Sequence, residues 1–224
     1  MARSGKTFPR RAATAATTSG RRRRPPELAR QEILDAAERV FARFQPDQVG
    51  LKEVAREAAV SHALITHYFG TYAGLVEAAL ERRNRATREA TLARLREPSA
   101  LQRPGELLDL LFRMLADPVH LRLMRWMLAS ERPGRHAFAL EDRGLAIIAE
   151  QVARALHPAP DRALIRDLAI TLLTAVSAAY GYALARHALA GALGLEPTRE
   201  LDDEVRDRLA EMLQTQVRRH RAGS

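Results

Sequence analysis

At 224 residues and 46% hydrophobic content, the chain can bury one substantial core, or a small domain joined to a larger one, and this composition excludes disorder throughout. It contains no cysteine, which excludes disulfides, thiol nucleophiles and cysteine-based zinc sites and agrees with a reducing cytoplasm. The net charge of +9 is concentrated: Arg3, Lys6, Arg10, Arg11, Arg21, Arg22, Arg23, Arg24 and Arg30 against Glu27 alone give residues 1–30 a charge of +8, so the rest of the chain is nearly neutral and its basicity says little about partners.

Residues 1–24 are basic and poor in large apolar side chains, so a disordered arm is expected there. The stretch Ala12 to Gly20 is too polar for the apolar run of a secretory signal, and a cytoplasmic protein is expected. After Pro25 and Pro26, the three- and four-residue spacing of Ile33, Leu34, Ala37, Val40, Phe41 and Phe44 predicts a helix over 27–44. Short helices are predicted over 51–58 and 62–69, joined only by Ala59, Val60 and Ser61, and a longer one over 72–96. Pro98, Ser99, Pro104 and Gly105 mark a boundary, so residues 25–97 are read as a head and 98–224 as a second domain.

In the second domain, helices are predicted over 105–116, 118–131, 138–156, 161–189 and 199–220, separated by Pro and Gly clusters. Period-two alternation is missing and Ala, Leu and Arg dominate, so the expected fold class is all-α: a three-helix head followed by a helical bundle. Leu168 to Ala185 carries no charge, but its Ala, Thr, Ser, Gly and Tyr content fits a helix packed on other helices better than a membrane span.

Leu51 to Phe69 has helix-turn-helix spacing. Small Ala55 lies where two helices cross, Val60 and Ile65 seal the core between them, and Ser61 is placed to cap the second helix, leaving that helix's outer face free for a major groove. Here the sequence resembles the TetR family of transcriptional regulators, through IleLeuAspAlaAla at 33–37, Phe41, ValAla at 54–55, AlaAlaValSer at 58–61 and HALITHYFGTYAGL at 62–75. The likeness runs ungapped over about residues 28–80.

Two departures stand out. Ala59 occupies a turn position commonly held by Gly, which costs on the order of 1 kcal/mol if the backbone there is left-handed. Thr66 and Tyr72 replace a tyrosine and a lysine of the family pattern, each keeping one donor for a phosphate.

The resemblance implies a DNA-binding set of Lys52, Ser61, His62, Ala63, Thr66, His67, Tyr68 and Tyr72, with Arg21, Arg22, Arg23 and Arg24 of the arm as either further contacts or a solvated tail. It implies a homodimer through about residues 161–189 and 199–220, where Ala178, Gly181 and Ala185 allow close approach and Leu201, Val205, Leu209 and Met212 form a stripe. A dimer would read a palindromic operator in double-stranded DNA, and a small-molecule effector would release it.

Candidate effector contacts are Phe112, Met114, Trp126, Met127, Phe138 and Tyr180, with His120 or Arg125 as a polar handle for an apolar or aromatic molecule; core packing explains most of them equally well. No cofactor or metal is expected, because no His pair has ligand spacing. The chain has no G-x-S-x-G, glycine-rich phosphate loop or H-E-x-x-H, so an enzyme is not expected. Two rival readings stay open: a sequence-tolerant architectural DNA binder and a protein-binding helical scaffold.

Overall fold

A computed structural model describes residues 25–97, 99–130 and 143–222. Among them every regular element is helical: α1 (Pro26–Arg43), α2 (Leu51–Ala58), α3 (His62–Phe69), α4 (Tyr72–Leu95), α5 (Pro104–Ala116), α6 (Pro118–Ala129), α7 (Gly144–Leu156), α8 (Arg162–Ala192) and α9 (Arg199–Ala222), with short 3₁₀ turns at Pro46–Gln48 and Ala100–Gln102.

The helix starts are set by local chemistry. Proline occupies the first helical turn of α1, α5 and α6, where its missing N–H is no loss. Asp117 accepts from Val119 N and His120 N to cap α6, and Asp161 accepts from Leu164 N at 2.8 Å to cap α8.

The head is α1 to α3 closed by the first turns of α4. Ile33, Leu34, Ala37, Val40 and Phe41 of α1 are buried against Val54, Ala55, Ile65, Leu75, Val76 and Ala79. This cluster continues without a break into the body through Leu108, Leu115, Leu123, Met124, Val176 and Tyr180, so α4 and α6 join the two regions through a shared core.

Ion pairs reinforce that joint. On α4, Arg82 holds Asp35 at 2.7 Å and Glu38 at 2.6 Å, while Arg83 bridges Glu38 and the α6 cap Asp117. Arg122 of α6 donates to Phe41 O at 3.0 Å and Ala42 O at 2.8 Å, carbonyls that the end of α1 leaves without intrahelical partners.

α8 runs 31 residues, with a break from helical geometry at Ala185. It is long and apolar enough, by length and composition alone, to cross a membrane. One face packs inward through Leu168, Ala175, Val176, Ala179 and Tyr180. The other face is left uncovered by its own chain: Ile170 is 51% and Leu173 59% exposed, and an added Cβ at Gly181 would meet nothing within 4 Å. The stripe expected on α9 also divides: Leu209 is buried, Val205 packs on the same core and Met212 is 56% exposed. Val205 and Leu209 therefore face their own body, where α5 and α9 pack together.

Candidate nucleic-acid interface and ligand cavity

The turn between α2 and α3 is built by Ala59, whose backbone is left-handed at φ 53° and ψ 41°. Its N–H and that of Val60 return to carbonyls of the last turn of α2, closing the helix and reversing the chain within three residues. Ser61 Oγ accepts from Leu64 N at 3.2 Å, so α3 starts with its cap satisfied. Ile65 is fully buried beneath α3, which fixes the face the helix turns outward.

That outward face is His62, Ala63, Thr66 and His67, all exposed together with Ser61. Tyr68 is half-buried, its ring edge-on to His67 with centroids 5.2 Å apart. The Thr66 hydroxyl donates to His62 O at 3.2 Å and so spends its hydrogen inside α3. Lys52 is exposed on α2, and Arg56, a turn further along the same face, is exposed as well; four-residue spacing from Lys52 was a signal for it in the sequence.

Tyr72, expected among the DNA contacts, is half-buried at the start of α4. Its hydroxyl donates to Pro46 O at 2.6 Å, and its ring stands edge-on to Phe41 and to Trp126 of α6. Burial pushes the phenol pKa up, so it stays a neutral donor already used inside the fold rather than one offered to a phosphate. Gly74, which carried no expectation, is required by close approach: a Cβ there would lie 2.2 Å from Phe69 O at the end of α3. Arg21, Arg22, Arg23 and Arg24 lie outside the described residues.

In the body a cavity of about 360 Å³ lies between α4, α5, α7, α8 and α9. α5 contributes Leu107, Leu108, Leu111 and Met114, α7 contributes Leu145, Ile148 and Val152, and α8 contributes Leu168, Leu172 and Val176. The wall made by α4 is different, with Glu81, Asn84, Thr87, Arg88 and Thr91 facing inward at helical spacing. α7 opens with Gly144, where a Cβ would sit 2.6 Å from Arg88 Nη1, so the glycine leaves room for the guanidinium.

Of the expected effector contacts, Met114 and Tyr180 line this cavity. The others that the structure describes do not. Met127 is buried core, Phe112 packs on the core, Trp126 meets Tyr72, and Arg125 is exposed with a 3.5 Å contact to Leu184 O. His120 is fully buried one step behind the wall, its Nε2 3.0 Å from the Tyr180 hydroxyl. Phe138 lies outside the described residues. Aromatic and methionine side chains in an α-helical body fill core as readily as pockets, and their sequence spacing does not separate the two. Among the described residues no group of three or more His, Asp or Glu could hold a metal ion.

A helix-turn-helix head presenting the outer face of its second helix, joined through a shared core to a helical body with an interior cavity, defines a class of small DNA-binding protein. Residues 33–79 match the family model described as bacterial regulatory proteins, tetR family. The chain thus carries the DNA-binding head of the TetR family. Its sequence is 41% identical over 59 residues to an uncharacterized HTH-type transcriptional regulator of Mycobacterium tuberculosis, a match covering 26% of this chain and 29% of the relative. In structure it is similar to a tetR-family transcriptional regulator from Streptomyces coelicolor, at TM-score 0.57 and 23% identity over 88% of this chain and 89% of that one. It is also similar to the TetR family repressor AlkX from a Dietzia strain, implicated in biodegradation of n-alkanes, at TM-score 0.55 and 14% identity over 85% and 95% of the two chains. At these identities the two structural likenesses are of fold.

Proposed function

We propose that the protein is a sequence-specific transcriptional regulator that binds a palindromic operator as a homodimer and represses until a small-molecule effector releases it. The observation that carries the proposal is the outward face of α3: four exposed side chains on a helix whose other face is locked by Ile65 and whose start is capped by Ser61. Such a helix enters a major groove without rearranging the head.

The exposed apolar and small-residue face of α8, with Ile170, Leu173, Ala178 and Gly181, supports the dimer. Two copies joined there would present two α3 helices to half-sites about one duplex turn, ~34 Å, apart. An effector in the cavity contacts α4, which also closes the head, so a ligand with different affinity for two settings of α4 shifts that spacing. Such a regulator acts in the cytoplasm, and catalysis has no part in this reading.

The test is selection of bound fragments from random-sequence duplex DNA at physiological salt, followed by titration against a scrambled control. A palindrome bound at least ~1000-fold more tightly than the control is expected. Equal, steeply salt-dependent binding to both would overturn the proposal in favour of an architectural DNA binder.

A further inference from the structure

The two sides of the cavity differ in chemistry. Its α5, α7 and α8 walls are mainly aliphatic, with Thr171 of α8 and Gln216 of α9 as isolated polar residues, and Tyr180 is the one aromatic residue among the described residues that line it. The Tyr180 hydroxyl is in contact with His120 behind the wall. A flat aromatic ligand gains beyond its area burial chiefly from stacking or edge-on partners, and this lining gives it little of either. Flexible aliphatic walls instead suit a chain that bends to fill the space. The volume of about 360 Å³ is near the lower end of the range for small-molecule sites, about 300–1,000 Å³.

The α4 wall offers donors and acceptors with its charges balanced. Glu81 and Arg88, which are 19% and 14% exposed, face each other with 3.7 Å between Oε1 and Nη1, and Asn84 and Thr87 lie between them in sequence on the same face. Arg143 borders the cavity from the exposed start of α7, where water screens it. A net charge on the ligand would be drawn out of water into an apolar space where the α4 charges, Glu81 and Arg88, are matched to each other. A neutral oxygen function loses less on entry and is able both to donate and to accept along α4.

We propose that the cavity takes a neutral aliphatic molecule bearing one oxygen head group, of the alkanol type, with its chain against α5, α7 and α8 and its head on the polar face of α4. This rests on the regulatory reading above, whose effector it specifies by chemical class. The head would then sit on the helix that runs into the DNA-binding head.

The experiment is calorimetric titration of the full chain with decan-1-ol, decanoate and 2-naphthol. Decan-1-ol is expected to bind at least tenfold more tightly than either of the others. Thr87→Val, which removes a hydroxyl while keeping the shape, is expected to weaken decan-1-ol by about 2- to 12-fold, the net worth of one hydrogen bond. Leu172→Trp, placed to fill the cavity, is expected to abolish binding, and Val152→Phe serves the same purpose if the first variant does not fold.

Tighter binding of decanoate overturns the neutral head, equal or tighter binding of 2-naphthol overturns the aliphatic chain, and failure of all three to bind overturns the ligand class. Binding of decan-1-ol that survives a folded cavity-filling variant overturns the site. Operator binding by the ligand-free protein is measured in parallel, so failure of the regulatory reading shows there and leaves the calorimetry to decide the ligand.

Discussion

His120 Nε2 lies 3.0 Å from the Tyr180 hydroxyl, a buried hydrogen bond that ties α6 to the cavity-lining helix α8. Burial first, and the Arg83 guanidinium second, push the imidazole pKa down to about 4, with the Asp117 carboxylate opposing them. Because the folded value is below the unfolded one, the unfolded chain binds more protons between about pH 4 and 6.5. The neutral ring's contribution is therefore complete above pH 6.5 and is lost as pH falls through that window. Urea unfolding should show about 2 kcal/mol lost to this group between pH 7.5 and pH 5, and that part of the slope should vanish in His120→Leu. An unchanged slope in the variant would remove His120 as its source.

Ala59 holds a left-handed backbone that glycine adopts without a Cβ penalty. Ala59→Gly should raise stability by about 0.5–1 kcal/mol, the relief being partly offset by the greater freedom of glycine in the unfolded chain. Thermal unfolding of the two proteins side by side checks the sign. A lower midpoint for the glycine variant would mean that the turn relaxes out of this geometry.

Lys52 and His67 are both exposed on the candidate DNA face but should fail differently. Lys52→Ala should weaken binding to all sequences and reduce the slope of log affinity against log salt by about 0.9, the signature of one lost phosphate contact. His67→Ala should leave that slope alone and relax preference at one or two base pairs, at about 1–3 kcal/mol per discriminated position. Salt titration on selected and scrambled duplexes separates the two effects.

Leu173 is 59% exposed on the uncovered face of α8, so a charge there disturbs little inside one chain. In a dimer joined across this face, Leu173→Glu buries a carboxylate beside its symmetry mate. Light scattering should report a monomer with an unchanged helical spectrum, and operator affinity should fall with it. A variant that remains dimeric would place the interface elsewhere.

Arg122 bonds two terminal carbonyls of α1 from α6 and so links body to head by charge-assisted hydrogen bonds. Arg122→Ala should cost about 1–2 kcal/mol of stability, since both carbonyls lose a charged donor at the negative end of the helix dipole. It should also weaken the effect of any effector on operator binding more than it weakens operator binding itself. Equal loss of both would assign Arg122 a purely structural role.

The sequence alone determined the all-helical class and the course of α1 to α4; of the helix expected over 138–156, residues 144–156 are helical and 138–142 lie outside the described residues. Ile33, Leu34, Ala37, Val40 and Phe41 recur at helical spacing, and the observed ends of α2 and α3 fall at the expected residues because Ala59, Val60 and Ser61 leave only a three-residue turn. The exposure of His62, Ala63, Thr66 and His67 was legible for the same reason, since burying Ile65 fixes the opposite face. Periodicity shows which residues share a face but does not show what that face meets.

Only the tertiary structure decided that Tyr72 spends its hydroxyl on Pro46 26 residues away, that Val205 and Leu209 of the α9 stripe pack on the body's own core while Met212 does not, and that Met114 and Tyr180 reach a cavity which Trp126 and Met127 do not. Local pattern is set by the chain's own 3.6-residue repeat, whereas these partners are brought together by packing between segments distant in sequence. The polar face of α4 belongs to the second kind: Glu81, Asn84, Thr87, Arg88 and Thr91 line a cavity only because α5, α7 and α8 enclose them.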